Sequence, residues 1–205
     1  MAFFGGKERR GTPCDLLVVG LGNPGAEYAH TRHNAGADTV ALLAERHGGT
    51  LKRGKEQALS CEVTVQGKRL ALAFPQTYYN ESGNAVRLLV QRHGIEDATQ
   101  VVVVHDELDL PIGRLKVKAG GGLAGNNGLK SIKAHLKTDA FLRVRIGIGK
   151  PPGKQHGVDH VLKRPSKKER EELDIVEQEA ADAVELIATA GVERAMERYN
   201  QRDPG

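Results

Sequence analysis

The sequence predicts a single α/β domain built on a mixed, twisted β-sheet flanked by helices. Three observations carry that expectation. Strand-like and helix-like patterns alternate along the 205 residues. The runs LLVV at 16–19 and QVVVV at 100–104 have the length and β-branched content of buried strands. A hairpin pattern at 61–74 makes one strand pair antiparallel, whereas the longer connections carry helices and imply parallel neighbours. A chain of 22.1 kDa can bury a sizeable single core.

The first strand, 16–19, runs into a glycine turn. Residues 36–47 place Val40, Leu43, Ala44 and His47 at helical spacing and end in Gly48-Gly49, a helix stop. The hairpin follows as CEVTV at 61–65 and RLALAF at 69–74 around Gln66-Gly67. Ser82 is placed to cap a helix that carries Val86, Leu89 and Val90 and ends at Gly94. After the second buried strand, RLKVK at 114–118 alternates, 128–137 has a helical pattern, and FLRVRIGIG at 141–149 alternates again. Ser166 and Glu169 form a capping box for a long helix whose stripe is Leu173, Val176, Ala180, Val184 and Ile187. Residues 1–14 read as a flexible extension of a domain spanning 15–201, and the Pro/Gly/Lys/His stretch at 150–160 as a mobile surface loop.

Composition narrows the function classes. With 39% apolar and 27% charged residues and no apolar run of membrane-spanning length, the sequence predicts a cytoplasmic protein without a membrane anchor. Cys14 and Cys61 form no metal-binding or disulfide pattern and read as ordinary thiols. The formal charge of +4 hides an asymmetry: residues 111–170 hold 15 bases against 3 acids, and residues 171–205 hold 3 bases against 10 acids. A basic block inside a folded chain points to a polyanion. With 4% aromatic residues and no tryptophan, stacking platforms for single strands are scarce, so a nucleic acid would be gripped by its phosphates.

GLGNPG at 20–25 matches a dinucleotide-binding fingerprint, but no helix pattern opens at that loop and no acid closes a second strand at the required distance. More informative is TRHNAG at 31–36, which sets His33 and Asn34 just before a helix, and HDELD at 105–109, where a buried strand meets polar residues. A carboxylate on one imidazole nitrogen fixes the tautomer and frees the other nitrogen as a general base. A metal site from His105, Asp106, Glu107 and Asp109 is disfavoured because adjacent turn residues rarely converge, and no serine-nucleophile motif occurs. Asn23, Asn80 and Asn127 follow three different strand patterns and would bring amide groups to the rim of one cleft.

GLGNPGAEYAHTRHNAG at 20–36, PQTYYNESG at 75–83, HDELDLPIG at 105–113, the GGG and NNGLKSI of 120–132 and RVRIGIGKP at 143–151 together closely resemble the bacterial-type peptidyl-tRNA hydrolase family. The resemblance runs from about Leu16 to Tyr199 in five ordered motifs. It implies a monomeric enzyme, free of metal and cofactor, that hydrolyses the ester between a peptide and the 3′ ribose of tRNA, thereby recycling tRNA. It further implies His33 as catalytic base, Asp106 as its orienting carboxylate, and Asn23 as the residue separating blocked peptidyl from free aminoacyl groups. Asn80 and Asn127 match amides that bind substrate and water; Tyr28 and Tyr78 match cleft-lining positions. Lys118 and Arg145 match a clamp for the 5′ phosphate beside the tRNA acceptor stem. The 150–160 segment and the long C-terminal helix match lid elements. Asn126 stands where a histidine is usual, Leu123-Ala124 replaces a His-Gly or similar pair, and Tyr79 replaces a methionine. Tyr79 would either narrow the peptide channel or offer a stacking surface to the terminal adenine. Two other classes stay open at this stage: an RNA-binding scaffold without turnover, and a small-molecule nucleotide-binding enzyme using GLGNPG.

Overall fold

The computed structural model describes residues 12–151 and 157–201. Seven strands form one mixed sheet: β1 Leu16–Gly20, β2 Lys52–Arg53, β3 Ala58–Val65, β4 Lys68–Pro75, β5 Val101–Glu107, β6 Leu115–Ala119 and β7 Leu142–Gly147. Their order is β2-β3-β4-β1-β5-β7-β6. The three pairings of β4, β1, β5 and β7 are parallel, while β2/β3, β3/β4 and β6/β7 are antiparallel. The expected hairpin is present and longer than its apolar pattern. Gln66 and Gly67 both take positive φ, 47° and 81°, as the tight turn requires.

The helices are α1 Ala35–Arg46, α2 Ser82–His93, α3 Asn127–Leu136, α4 Gly157–Leu162, α5 Lys167–Ala190 and α6 Val192–Tyr199. Alternation in the strands divides the core in two. Val18, Leu72, Val102, Val104 and Ile146 face α1, α5 and α6, meeting Val40, Leu43, Leu173, Val176 and Ala195. Leu17, Val19, Ala73, Val101 and Val103 face α2 and α3, meeting Val86, Leu89, Leu129 and Ile132. The capping box of Ser166 and Glu169 is formed, and all five residues of the α5 stripe are buried. A cap contributes about 1 kcal/mol, whereas each buried aliphatic side chain contributes about 1.5–3 kcal/mol, so packing fixes this helix and the cap fixes where it starts.

Several expectations need correction. Ser82 is the first helical residue rather than the cap: its hydroxyl donates to the Tyr79 carbonyl at 2.8 Å, closing a 3-10 turn at Tyr79–Glu81. Of the loop expected at 150–160, residues 152–156 lie outside the described residues, and 157–160 are helical as the start of α4. His47 lies beyond α1 and pairs with Glu185 of α5. Residues 1–11 of the expected extension lie outside the described residues, while Cys14 is buried and Thr12 lends its carbonyl to His93. The helix α6 was not expected. It ends in Asn200, whose side chain makes both bonds of a strand partner with the Val117 backbone on the sheet edge.

β1 lies between β4 and β5, so the chain leaves it in one direction and later returns to its other side. Loops following β1, β4 and β5 are thereby gathered at one end of the sheet, the place where open α/β sheets hold ligands. Close approach of α1 to this end depends on glycine. A Cβ on Gly20 would lie 2.2 Å from the Gly36 carbonyl oxygen, and one on Gly36 would lie 2.2 Å from that of Val104.

Candidate active site

The loop after β1 does not open a helix at its glycines; α1 starts only at Ala35, which removes the dinucleotide reading. Instead the loop is stapled internally. Asn23 N–H donates to Asn34 Oδ1 at 2.9 Å, and Asn34 Nδ2 donates back to the Asn23 carbonyl at 2.9 Å. That reciprocal pair holds the 3-10 turn Arg32–Asn34, and with it His33, against the end of β5.

β5 extends three residues past the apolar run expected, to Glu107, and all seven of its residues are buried. Alternation sends Asp106 to the α1 side and His105 and Glu107 to the other. His33 Nδ1 lies 2.8 Å from Asp106 Oδ2. The imidazole is 17% exposed and the carboxylate 4%. Burial opposes ionisation of Asp106, but the adjacent His33 and the hydrogen bonds from His33 and Tyr79 outweigh it and hold the carboxyl below its ordinary range. With Asp106 ionised, His33 Nδ1 carries the hydrogen; Nε2, with no partner among the described residues, is the free basic nitrogen. The divergence of His105, Asp106 and Glu107 dismantles the metal reading, and among the described residues no three His, Cys, Asp or Glu side chains gather as metal ligands.

The 3-10 turn after β4 supplies the third wall. Tyr79 N–H donates to Asn23 Oδ1 at 2.8 Å, leaving Asn23 Nδ2 as that amide's donor. Tyr79 is 4% exposed, with its ring stacked on His33. It therefore neither narrows a channel nor offers a face to an adenine. The third loop arrives through α3, where Asn126 caps the helix by accepting from Leu129 N–H at 3.0 Å and its Nδ2 reaches the Tyr79 hydroxyl at 2.9 Å.

The remaining expected residues divide by exposure. Asn80 and Asn127 are exposed, each the next residue after a member of the Tyr79–Asn126 bond, so the two stand on adjoining turns. Tyr78 is 61% exposed, and Tyr28 is half-buried in the β1 loop. Lys118 and Arg145 project from the same face of the antiparallel β6/β7 pair, two residues out of register: Lys118 stands opposite Arg143, and Arg145 opposite Lys116. Arg145 is not a free cation: its Nε and Nη2 donate to buried Glu107 at 3.2 and 3.0 Å. Neighbouring Arg143 is fully buried and donates to the carbonyls of Gly120, Gly121 and Gly122, shaping the glycine loop between β6 and α3.

Four participants escaped the sequence reading: Asn34, Tyr79 as partner of Asp106, Asn126 and Arg32. Arg32 is 6% exposed; it donates to both oxygens of Glu169 at 2.9 Å and to the carbonyls of His160, Lys163 and Arg164. It ties the turn carrying His33 to the end of α4 and the start of α5. Of the lid expected from the C-terminal helix, this first turn stands beside the site, whereas the rest of α5 packs its apolar stripe on the core. One signal was available for Asn126, an asparagine three residues before the first apolar position of a helix, the spacing of a cap.

A model of the family described as peptidyl-tRNA hydrolase matches residues 17–204. The peptidyl-tRNA hydrolase of Chloroflexus aggregans is 45% identical over 184 residues, which cover 90% of this chain and 98% of that one. That of Rhodococcus erythropolis is 48% identical over 185 residues, covering 90% and 97%. The crystal structure of peptidyl-tRNA hydrolase from Acinetobacter baumannii superposes with a TM-score of 0.85 at 37% identity, covering 98% of this chain and all of that one. The chain belongs to the peptidyl-tRNA hydrolase family.

Proposed function

We propose that this chain, a peptidyl-tRNA hydrolase, cleaves the ester between a peptide and the 3′ ribose of tRNA by water attack, with His33 as general base and Asp106 as the carboxylate that orients it. The observation that carries the mechanism is the 2.8 Å contact between His33 Nδ1 and Asp106 Oδ2, which leaves Nε2 free. Nε2 takes a proton from water, the resulting hydroxide adds to the ester carbonyl, and the imidazolium returns the proton to the departing 3′ oxygen. The products are tRNA with a free 3′ hydroxyl and a peptide carboxylic acid, which gives up its proton to solvent and leaves as the carboxylate. Asp106 stays ionised throughout and stabilises the imidazolium. Asn23 Nδ2, left over once Oδ1 is held by Tyr79 N–H, is the donor offered to the carbonyl as charge develops on its oxygen. Asn80 and Asn127 extend the amide lining outward, and Tyr28 and Tyr78 flank the substrate.

The acceptor stem lies along β6 and β7, with Lys118 and Arg145 at the 5′ phosphate. Glu107 already offsets the charge of Arg145, so Lys118 carries the larger share of phosphate attraction and Arg145 the more rigid geometry. The enzyme works as a cytoplasmic monomer. No helix among the described residues is long and apolar enough to cross a membrane. Incubation with N-acetyl-aminoacyl-tRNA without added metal is expected to release tRNA, and His33→Ala is expected to lose that activity. Wild-type protein inert under these conditions would leave the RNA-binding scaffold, for which the matched relatives give no support, as the surviving reading.

A further inference from the structure

Tyr79 fills the space beside both members of the catalytic pair. Its ring lies flat on the imidazole of His33, with centroids 3.5 Å apart and planes 11° apart, and its hydroxyl donates to Asp106 Oδ1 at 2.7 Å. Asp106 uses its other oxygen for His33 Nδ1, so one carboxylate joins two loops. Proton directions along this chain are determined. Asn126 Oδ1 accepts from Leu129 N–H, so the end of the amide that meets Tyr79 is Nδ2, a donor. With an N–H pointing at its oxygen, the phenol turns its own proton to the carboxylate. Burial, and next the charge of Asp106, raise the Tyr79 hydroxyl well above the ordinary tyrosine range, so the proton is retained wherever the enzyme works.

We propose that Tyr79 is a positioning residue for the hydrolysis, which holds Asp106 in one orientation and draws part of its charge away from His33, with Asn126 at the start of α3 setting the direction of the hydroxyl. The role rests on the His33–Asp106 reading for its effect on turnover, but not for its effect on the imidazole. A donor on the far oxygen of a carboxylate weakens the pull of that carboxylate on a neighbouring imidazolium. Tyr79 therefore moderates the pull of Asp106 on a proton held by the imidazole. Besides one another and His33, the titratable groups that act on Asp106 and Tyr79 are His105, on Asp106, and Glu107, on Tyr79, both from β5. Burial favours the neutral form of His105, and Glu107 is paired with Arg145 of β7. Neither contact passes through Tyr79.

Tyr79→Phe keeps the stack and deletes the donor. The acid limb of its kcat/KM profile is expected to move to higher pH by about half a unit to one unit, a fraction of what one hydrogen bond to a charged group is worth, because the donor acts on His33 only through Asp106. kcat at neutral pH is expected to fall about tenfold with KM nearly unchanged, because the buried ring does not face substrate. The His33 titration followed by NMR should shift in the same direction. A variant profile superimposing on wild type, with an unshifted His33 titration, would overturn the role. If Tyr79→Phe does not fold, wild-type protein decides alone. With tyrosine labelled at Cζ, and only four tyrosines to assign, the Tyr79 signal should move with the midpoint of His33, whereas a signal blind to that titration would refute the coupling. Full activity of His33→Ala would instead overturn the general-base reading and leave the NMR coupling intact, so the two failures are separable.

Discussion

At the C-terminal end of β5 the polar side chains turn inward and find partners in the chain, whereas on the nearby β6–β7–α3 surface the lysines turn outward, although Arg143 and Arg145 are held within the chain. Asp106, Tyr79, Asn126, Asn23 and Asn34 satisfy one another within three loops. On the other surface Lys116, Lys118, Lys130 and Lys137 have no side-chain partner among the described residues, and Lys133 has an exposed one in Asp139. On the proposed function, the difference separates two tasks. Groups that stabilise a transition state must be oriented before substrate arrives, so their partners are built into the fold. Groups that hold a polyanion gain by releasing counterions, so their partner must come from outside.

That division can be broken at either region. The largest effect is expected from His33→Ala, a loss of about 10²–10⁴ in kcat, measured on N-acetyl-aminoacyl-tRNA, with the salt dependence of tRNA binding unchanged. A salt slope altered together with kcat would show that the regions are not separate. Next in size is Arg32→Met, which strips Glu169 and three carbonyls of a common partner. A loss of about 2–3 kcal/mol in stability is expected by denaturant titration, below the cost of a fully sealed pair because Glu169 is about a third exposed.

A smaller effect concerns acid. Burial works against the charge on Glu169, but Arg32 and the bonds at Ser166 prevail and lower its pKa from 4.5 to about 2. Its contribution to stability is thus fully present above pH 4.5 and is lost as pH falls towards 2. The stability gap between wild type and Glu169→Gln should narrow over that interval in denaturation curves taken at successive pH values. A constant gap would refute the linkage. The smallest effect is expected from Lys118→Ala. It should leave kcat intact, raise KM a few-fold, and lower the slope of log affinity against log salt by about 0.7–0.9, one phosphate contact, for 5′-phosphorylated tRNA. An unchanged slope would move the contact to other lysines of the surface.

Much of this arrangement is legible in the residues. The runs at 16–19 and 100–104, the hairpin, the capping box of Ser166 and Glu169 and the stripe of α5 appear where their patterns put them. The segments holding His33 and HDELD were legible because each stands at the boundary between an apolar element and a polar stretch; which carboxylate of HDELD meets His33 was implied only by the family resemblance. α4 and α6 were not, since short helices carry too few apolar positions to establish a period. Ser82 misled because a serine just before a helical stripe fits a cap and a first-turn residue equally well; the preceding 3-10 turn decided between them.

By itself the sequence determined which side of each element is buried, where chains turn and which residue types are available for acid-base chemistry. Those properties depend on spacing between near neighbours, which periodicity and turn chemistry record directly. Only the tertiary structure decided that the Tyr79 hydroxyl meets Asp106, that Asn126 and not Asn127 closes the network, and that Arg145 is already paired with Glu107. Each of these joins loops or strands whose proximity follows from the strand order β4-β1-β5-β7. Strand order is settled by how whole elements pack against one another, and no local pattern encodes it.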